Sequence, residues 1–227
     1  MRKLIVIEGL DGSGKATQAK LLTEALIKQG KTAREVSFPD YDSPSSALVK
    51  MYLGGAFGSH PDDVNAYAAS SFYAVDRYAS FKRDWQSDWE KGIVIADRYT
   101  TSNAIHQCSK LDRSEWSTYL NWLFNYEYKL LQIPKPDLVI YLHVDPQVSQ
   151  ELLKKRYQGD PAREDIHEKD RAYLKRCEEA AAFCTDQLGW ETVECVENGK
   201  MRSVEEIKKE ILNLTEESFL HTVGAQN

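Results

Sequence analysis

The fold of this chain is decided by Gly9-Leu10-Asp11-Gly12-Ser13-Gly14-Lys15-Ala16-Thr17, a glycine-rich stretch near its start. A short apolar segment, residues 4–7, precedes it, and a helical pattern follows it to about residue 30. A strand, a glycine loop and a helix in this order are typical of a P-loop, whose backbone N–H groups converge on a phosphate at the positive end of the helix. The pattern G-x-x-x-x-G-K is met, so Lys15 supplies the charge for the β- and γ-phosphates of a nucleotide.

Position 16 departs from the usual motif, because Ala16 stands where a Ser or Thr hydroxyl normally binds Mg²⁺. Thr17, water or an acidic side chain must then complete the ligands of the metal. The same departure motivates one alternative, a nucleotide-binding regulator without catalysis. A glycine-rich turn can also serve packing alone, but Lys15 in register after a strand disfavours that interpretation.

The composition is that of an ordinary globular protein. The chain has 227 residues, of which 42% are hydrophobic and 28% charged, enough for one α/β domain with a sizeable core. A net charge of −6 argues against a nucleic-acid partner. Four cysteines without a C-x-x-C pair predict reduced thiols in a cytoplasmic protein. We expect no membrane association, since no apolar run reaches spanning length and Glu8 ends the first one too early for a signal peptide.

Apolar runs alternate with helical patterns along the chain, which predicts a parallel sheet with crossover helices. Strands are expected at residues 4–7, 33–38, 92–96, 137–142 and 191–196, and helices at about 15–30, 62–90, 112–131, 146–157, 167–188 and 203–217. We therefore predict a P-loop NTPase-type three-layer sandwich, in which a five-stranded parallel sheet carries helices on both faces. No linker or internal repeat is evident, so residues 1–227 are expected to form a single domain.

Polar residues follow the predicted strands at the edge where parallel sheets bind ligands. Phe38-Pro39 follows the second strand, and Asp97-Arg98-Tyr99 follows the third. Asp97 is placed to hold the metal, and the planar guanidinium of Arg98 suits phosphoryl oxygens. An internal ion pair between the two is the structural alternative. Arg77 lies in an aromatic helical segment and needs an anion or a ligand carbonyl as its partner.

A basic run, Lys154-Lys155-Arg156, is followed by a Gly159-Asp160-Pro161 turn and by Arg163. A solvated helix face explains Lys154 and Lys155. A mobile basic turn is also what a lid over a triphosphate requires, and we place such a lid at about residues 154–166.

Together these motifs resemble the thymidylate (dTMP) kinase family of nucleoside-monophosphate kinases. The resemblance covers nearly the whole chain in order. It includes the P-loop, Phe38-Pro39, the helix with Arg77, the Asp97-Arg98-Tyr99 stretch through Ser102 to Gln107, and a basic lid ending in Arg163-Glu164-Asp165-Ile166. The chain departs from the family after Phe38-Pro39, where many members have an arginine for the acceptor phosphate and this chain has Asp40.

The resemblance implies ATP and dTMP as substrates, Mg²⁺ as cofactor and a homodimer. It also implies roles for individual residues. Residues 9–17 would bind the nucleotide, Phe38 would stack on thymine, Arg77 would contact the base or phosphate, and Ser102 and Gln107 would face the nucleoside. Asp97 and Arg98 would position the metal and the acceptor phosphate. Because the P-loop has no arginine, Arg163, or else Arg156, would be the catalytic arginine.

A phosphate acceptor explains why no general base stands out, since its second pKa is about 6 and it is already nucleophilic at neutral pH. A deoxynucleoside kinase is the alternative within the same class. Its hydroxyl acceptor needs a carboxylate base, and Glu8 and Asp97 remain candidates for that role. A switch GTPase is disfavoured because the chain has no N-K-x-D guanine motif.

Overall fold

A five-stranded parallel sheet in the order β2-β3-β1-β4-β5 forms the centre of the protein. The computed structural model describes residues 2–145, 148, 149, 152 and 165–224, with side chains as far as residue 220. The strands are β1 (Lys3–Glu8), β2 (Ala33–Ser37), β3 (Ile93–Asp97), β4 (Leu138–His143) and β5 (Glu191–Glu194). The predicted sheet is thereby confirmed.

The central strand β1 is buried along its whole length, as a strand covered on both faces must be. Ile5 pairs with Ile95 of β3 on one side and with Leu138 of β4 on the other. Because side chains alternate along a strand, Ile5 and its neighbour Ile7 enter one core while Leu4 and Val6 enter another.

Helices cover both faces of the sheet, as predicted. The helices are α1 (Lys15–Lys28), α2 (Ala47–Leu53), α3 (Ala66–Ser80), α4 (Gln86–Lys91), α5 (Thr100–Cys108), α6 (Trp116–Phe124), α7 (Ile166–Lys169), α8 (Arg171–Leu188) and α9 (Val204–Gly224). Helices α1 and α9 pack on the face of Ile5, and α3 to α6 with α8 lie on the opposite face. Among the described residues, no helix is long and apolar enough to cross a membrane.

Several element boundaries differ from those expected. The predicted helices 62–90 and 112–131 contain π-helical stretches at Phe81–Trp85 and Asn125–Leu130. The last predicted strand ends at Glu194, and a small antiparallel pair, β6 (Val196–Glu197) and β7 (Lys200–Met201), follows it. The predicted helix at 146–157 lies mostly outside the described residues.

Helices α2 and α5 were not predicted from the sequence. Helix α5 opens with Thr100-Thr101-Ser102-Asn103, residues of poor intrinsic helix propensity. Nearly all of its side chains are buried, so tertiary packing decides its conformation. This helix matters for function, because it carries both Ser102 and Gln107 to the carboxyl edge of the sheet.

Candidate active site

The glycine loop between β1 and α1 has the backbone that a P-loop requires. Gly14 precedes α1 with a φ of 84°, in the left-handed region. At Gly9 an added Cβ would lie 2.6 Å from Ser13 Oγ and 2.8 Å from the Leu142 carbonyl oxygen, so no larger residue fits. Both positions therefore require glycine.

Lys15 lies at the mouth of this loop and is 7% exposed. Its Nζ donates to the Leu10 carbonyl oxygen at 2.8 Å. Burial, followed by the charge of Arg98, lowers the pKa of Lys15 to about 8. An anion bound in the loop would give this ammonium a charged partner and favour its protonated form.

A nucleotide-sized groove of about 1130 Å³ opens in front of the loop. The P-loop residues that line it are Asp11, Gly12, Gly14, Lys15, Ala16 and Thr17. Asp97 and Arg98, at the end of β3, form part of the same wall. The other predicted nucleotide-binding residues, Gly9, Leu10 and Ser13, belong to the loop but not to this lining.

A second cavity adjoins the groove and collects the predicted acceptor residues. Its lining includes Phe38, Tyr73, Arg77, Arg98, Ser102, Asn103, His106 and Gln107. The two cavities share Asp11, Arg98 and Asp165, among other residues. Arg98 therefore lies at the junction between a phosphate-binding groove and an aromatic pocket.

Arg98 has an unusual backbone and an anionic surrounding. Its φ of 64° lies in the left-handed region, which is costly for a bulky side chain and is typical of functional sites. Its guanidinium pairs with Asp11, lies 3.6 Å from Glu8 Oε1 and donates to Ser102 Oγ at 3.3 Å. The sequence suggested an ion pair with Asp97, whereas Asp11 and Glu8 are the partners found in the structure.

Glu8, at the end of β1, is fully buried and its carboxylate is occupied by donors. It accepts from the backbone N–H of Gly9 at 3.0 Å, from Ser102 Oγ at 2.8 Å and from Thr101 Oγ1. The carboxylate thus links the first turn of α5 to the first residue of the P-loop by hydrogen bonds. A carboxylate engaged in this way is poorly suited to remove a proton from a substrate hydroxyl.

Arg77 has the anionic partner that the sequence required. The side chain is 2% exposed, its Nε donates to Glu127 Oε2 at 2.7 Å, and its Nη1 donates to the Tyr99 carbonyl oxygen at 3.4 Å. Phe38 is 4% exposed and packs edge-on against Trp85 while lining both cavities. Both side chains are therefore held by buried partners where they line the second cavity.

Gln107 is the most conspicuous polar group of this cavity. It is fully buried, and neither its Oε1 nor its Nε2 has a hydrogen-bond partner among the described residues. An unpaired buried amide is costly, so a ligand that satisfies it would gain affinity. Ser102, by contrast, already bonds to Glu8 and Arg98.

Sequence reasoning missed other lining residues, above all Tyr73, Asn103 and His106. Tyr73 and Arg77 are one helical turn apart on α3, as are Asn103 and Gln107 on α5. This i, i+4 spacing places each pair on one helix face, and it is the signal that could have identified Tyr73 and Asn103.

Asp97 fits the predicted metal role. It lines the nucleotide groove, and its buried Oδ1 has no hydrogen-bond partner among the described residues. The described part of the chain has no group of three or more His, Cys, Asp or Glu side chains that could hold a metal. Mg²⁺ suits such a site, because it keeps several waters and is usually held by one or two carboxylates and the substrate phosphates. The exposed Thr17 lines the same groove.

The catalytic arginines expected in the lid, Arg163 and Arg156, lie outside the described residues. The last two residues of the predicted lid are described. Ile166 is buried against the apolar cluster of α2 and α3, and Asp165 accepts from the backbone N–H of His167 at 2.8 Å. Burial raises the pKa of Asp165 to about 6.

Asp40, which stands where many family members have an arginine, contributes to neither cavity lining. Its backbone N–H donates to Asp76 Oδ2 at 2.8 Å. Among the described residues, Arg98 is the one cationic side chain that lines both cavities. It is therefore the candidate to replace the missing arginine.

This fold and site define a class, the P-loop kinases that act on nucleotide-sized substrates. The family model described as thymidylate kinase matches residues 7–211 of the chain. The chain belongs to the thymidylate kinase family.

Individual relatives agree with this membership. A thymidylate kinase of Mycobacterium tuberculosis (strain ATCC 25618 / H37Rv) is 31% identical over 189 residues, which cover 82% of this chain and 87% of that one. A thymidylate kinase of Danio rerio is 27% identical over 214 residues, covering 94% and 89% of the two chains. The structure of thymidylate kinase from Candida albicans superposes with a TM-score of 0.70 at 21% identity, covering 97% and 94%.

Proposed function

We propose that this protein transfers the γ-phosphoryl group of ATP to dTMP, giving dTDP and ADP, with Mg²⁺ as cofactor. The observation that carries the proposal is the position of Arg98, which lines both the P-loop groove and the adjoining aromatic cavity. Transfer between two phosphates requires both polyanions to be held in line while their charge is neutralised. A guanidinium at the junction, with Lys15 in the groove, meets that need.

The engagement of Glu8 and the position of Asp97, the two candidate bases that the sequence offered, favour a monophosphate over a nucleoside as acceptor. The phosphate of dTMP is already mostly dianionic at neutral pH, with a second pKa of about 6. Glu8 is saturated by its donors, and Asp97 lines the nucleotide groove rather than the acceptor cavity. Neither carboxylate is therefore well placed to activate a sugar hydroxyl, which disfavours a deoxynucleoside kinase.

The hydrogen-bonding groups of the cavity suit the Watson–Crick edge of thymine. Asn103 Nδ2 donates to the Ser70 carbonyl at 3.2 Å and to Glu127 Oε1 at 3.4 Å. Because these acceptors orient the amide, Asn103 Oδ1 is left to accept from the N3–H of the base. Arg77, held by Glu127, can donate to the O4 carbonyl. Phe38 would supply the stacking ring, and Gln107 would pair with a further nucleoside atom.

The metal would be held by Asp97, directly or through water, together with the phosphates of ATP. When bound, Mg²⁺ neutralises charge on the β- and γ-phosphates. Lys15 would orient those phosphates from the loop, and Arg163, outside the described residues, would bring the further positive charge of the lid. Because Ala16 has no hydroxyl, one metal ligand of the usual motif is missing, and water or Thr17 can replace it.

We also propose that the protein is a cytoplasmic homodimer. The outer face of α3 exposes Tyr67, Val75 and Tyr78 by 39%, 47% and 40%. Residues 67, 75 and 78 lie on one face of this helix. Such an apolar stripe is suited to pack against the same stripe of a second protomer. The cytoplasmic location is supported by the four cysteines, all buried and none in a disulfide.

A coupled ADP-release assay with ATP and Mg²⁺ tests the proposal by comparing dTMP with thymidine. We expect steady turnover with dTMP and only background release with thymidine. Turnover of thymidine without turnover of dTMP would instead support the deoxynucleoside kinase. Background release with every acceptor would support the regulator.

A further inference from the structure

His167 lies in the short helix α7 and is only 5% exposed. Its Nε2 is 2.9 Å from the Tyr52 hydroxyl of α2. Its ring stacks on that of His106 in α5, with centroids 5.5 Å apart and an angle of 23° between the planes. Both imidazoles line the cavity that we assign to dTMP. Three segments that are distant in sequence therefore meet at one buried seam.

The Tyr52 hydroxyl has further hydrogen-bond partners beside His167. Lys110 Nζ donates to the Tyr52 hydroxyl oxygen at 2.7 Å and to the Val64 carbonyl at 3.1 Å. An ammonium can only donate, so Tyr52 accepts from Lys110 and keeps its own proton. The Pro61 carbonyl at 3.3 Å and His167 Nε2 at 2.9 Å are the other hydrogen-bond partners of this hydroxyl.

His167 is a buried neutral imidazole that is bonded to Tyr52 through Nε2. Burial lowers its pKa well below the ordinary value, and the neighbouring His106 and Lys110 act in the same direction. Hydrogen bonds thus connect Lys110, Tyr52 and His167 in one group.

Helix α7 depends on this seam for its position. Four residues are too few for a helix to be stable without tertiary contacts. Its contacts include Ile166, in the apolar cluster with Tyr52, and His167, which also packs on Tyr173 of α8 with ring centroids 4.8 Å apart. The carboxylate of Asp165, which lines both cavities, accepts from the backbone N–H groups of His167 at 2.8 Å and of Glu168 at 3.0 Å. The place of Asp165 in the site thus follows from the place of α7.

We propose that His167 is a positioning residue of the acceptor site, which fixes Asp165 and one wall of the dTMP cavity through its hydrogen bond to Tyr52 and its stack on His106. The inference rests on the proposed function, because it assigns this cavity to dTMP. His167 touches no reacting atom in this account. Because His167 itself lines the dTMP cavity and not the nucleotide groove, its contribution should be larger for the binding of dTMP than for the binding of ATP.

The test compares His167→Phe with His167→Gln. Phenylalanine keeps a ring for stacking but cannot form this hydrogen bond, whereas the glutamine amide can both donate and accept one. We expect His167→Phe to raise the KM and the calorimetric Kd for dTMP about fivefold, the value of one hydrogen bond. The KM for ATP should rise by a smaller factor than the KM for dTMP, because His167 lines the dTMP cavity and reaches the nucleotide groove only through Asp165 and α7. His167→Gln should recover most of the dTMP affinity.

A residue that only stabilises the fold would give a different pattern. Its replacement would lower the melting temperature and the active fraction, and with them the apparent kcat, while the KM and Kd for dTMP stayed unchanged. That pattern in folded His167→Phe overturns the inference.

Tyr52→Phe keeps the test decisive if His167→Phe does not fold. It removes the same hydrogen bond, together with those to Lys110 and Pro61, with a smaller change in packing, and it should raise the Kd for dTMP at least to the same extent. Unchanged dTMP binding in Tyr52→Phe contradicts the inference.

The turnover of dTMP by the wild type separates a failure of the proposed function from a failure of the role proposed for His167. No turnover of dTMP by the wild type contradicts the proposed function, whereas normal wild-type turnover with unaffected variants contradicts only the role of His167.

Discussion

Arg77 and Glu127 form a buried ion pair, in which the guanidinium Nε lies 2.7 Å from Oε2 while Nη2 contacts Oε1 of the same carboxylate. Arg77 is 2% exposed and Glu127 is fully buried. The pair joins α3 to the π-helical stretch after α6, and it holds the guanidinium at the edge of the acceptor cavity. One side chain therefore serves stability and, in our proposal, recognition of the base.

These two roles can be separated by mutation. Arg77→Met leaves Glu127 buried without its cation and should lower the free energy of unfolding by about 3–5 kcal/mol. Adding Glu127→Gln removes the uncompensated charge, so the double variant should regain most of that stability, measured by urea unfolding. Its KM for dTMP should nevertheless stay raised, because the donor to the base is still missing. Recovery of normal dTMP affinity in the double variant would show that Arg77 does not contact the base.

Lys15→Ala should abolish most of the activity without unfolding the protein. A charged donor at a transferring phosphoryl group contributes about 10²–10³ in kcat. Burial lowers the pKa of Lys15 to about 8, so its charge is unfavourable in the free fold and its loss should cost little stability. The matched control is Lys20→Ala, which removes an exposed lysine from the same helix. Near wild-type kcat in folded Lys15→Ala would refute the P-loop assignment.

Ala16→Ser tests how the protein manages without the usual metal ligand. We expect the added hydroxyl to change kcat/KM by no more than about fivefold, the worth of one polar contact, because Asp97 and water can hold Mg²⁺ without it. The measurement is kcat/KM as a function of Mg²⁺ concentration for both proteins. A wild type that is inert on every acceptor, together with an active Ala16→Ser, would favour the non-catalytic regulator.

His106 and His167 should make the fold less stable in mild acid. Burial lowers the pKa of His106 to about 3 and that of His167 well below its ordinary value. Below about pH 6.5 the unfolded chain gains protons that the folded chain does not, so stability falls by about 1.4 kcal/mol per pH unit for each imidazole. This stability is complete above pH 6.5 and is lost as the pH falls towards the folded-state pKa.

Urea unfolding of the wild type and His167→Gln between pH 7.5 and 5 measures this effect. As the pH falls, the free energy of unfolding of the variant should decrease less steeply than that of the wild type. The difference in slope should be the contribution of one imidazole, about 1.4 kcal/mol per pH unit. Comparison with the wild type cancels the contribution of Asp165, whose raised pKa acts in the opposite sense over the same range. Equal slopes would mean that His167 is not a buried neutral group.

Local features of the sequence predicted the sheet and the phosphate loop. Gly9 and Gly14 stand at fixed positions between an apolar run and a helix, and Asp97-Arg98 follows a β-branched strand directly. The placement of Arg98 at the ligand edge follows from parallel topology alone. These predictions needed no knowledge of distant contacts.

Other parts of the site depend on contacts that no local pattern contains. Helix α5 begins with weak helix formers and is helical because it is buried, so the i, i+4 spacing of Asn103 and Gln107 has meaning only once the helix is known, and His106 was not identified. Glu127, the partner of Arg77, is 50 residues away, and His167 is 115 residues from Tyr52. Polar pairs of this kind are specified by the packed fold and leave no periodic signal in the sequence.

The ranking of acceptors by kcat/KM tests the central claim most directly. A cavity that reads N3–H and O4 should reject dCMP and the purine monophosphates by about 10⁴–10⁵, because its own buried groups would be left unpaired. The methyl group of thymine adds only about 1–3 kcal/mol, so dTMP should be preferred over dUMP by a much smaller factor. We predict the order dTMP, dUMP and then, far below, dCMP and dGMP. Greatest activity on CMP, UMP or an unphosphorylated nucleoside would contradict thymidylate as the acceptor.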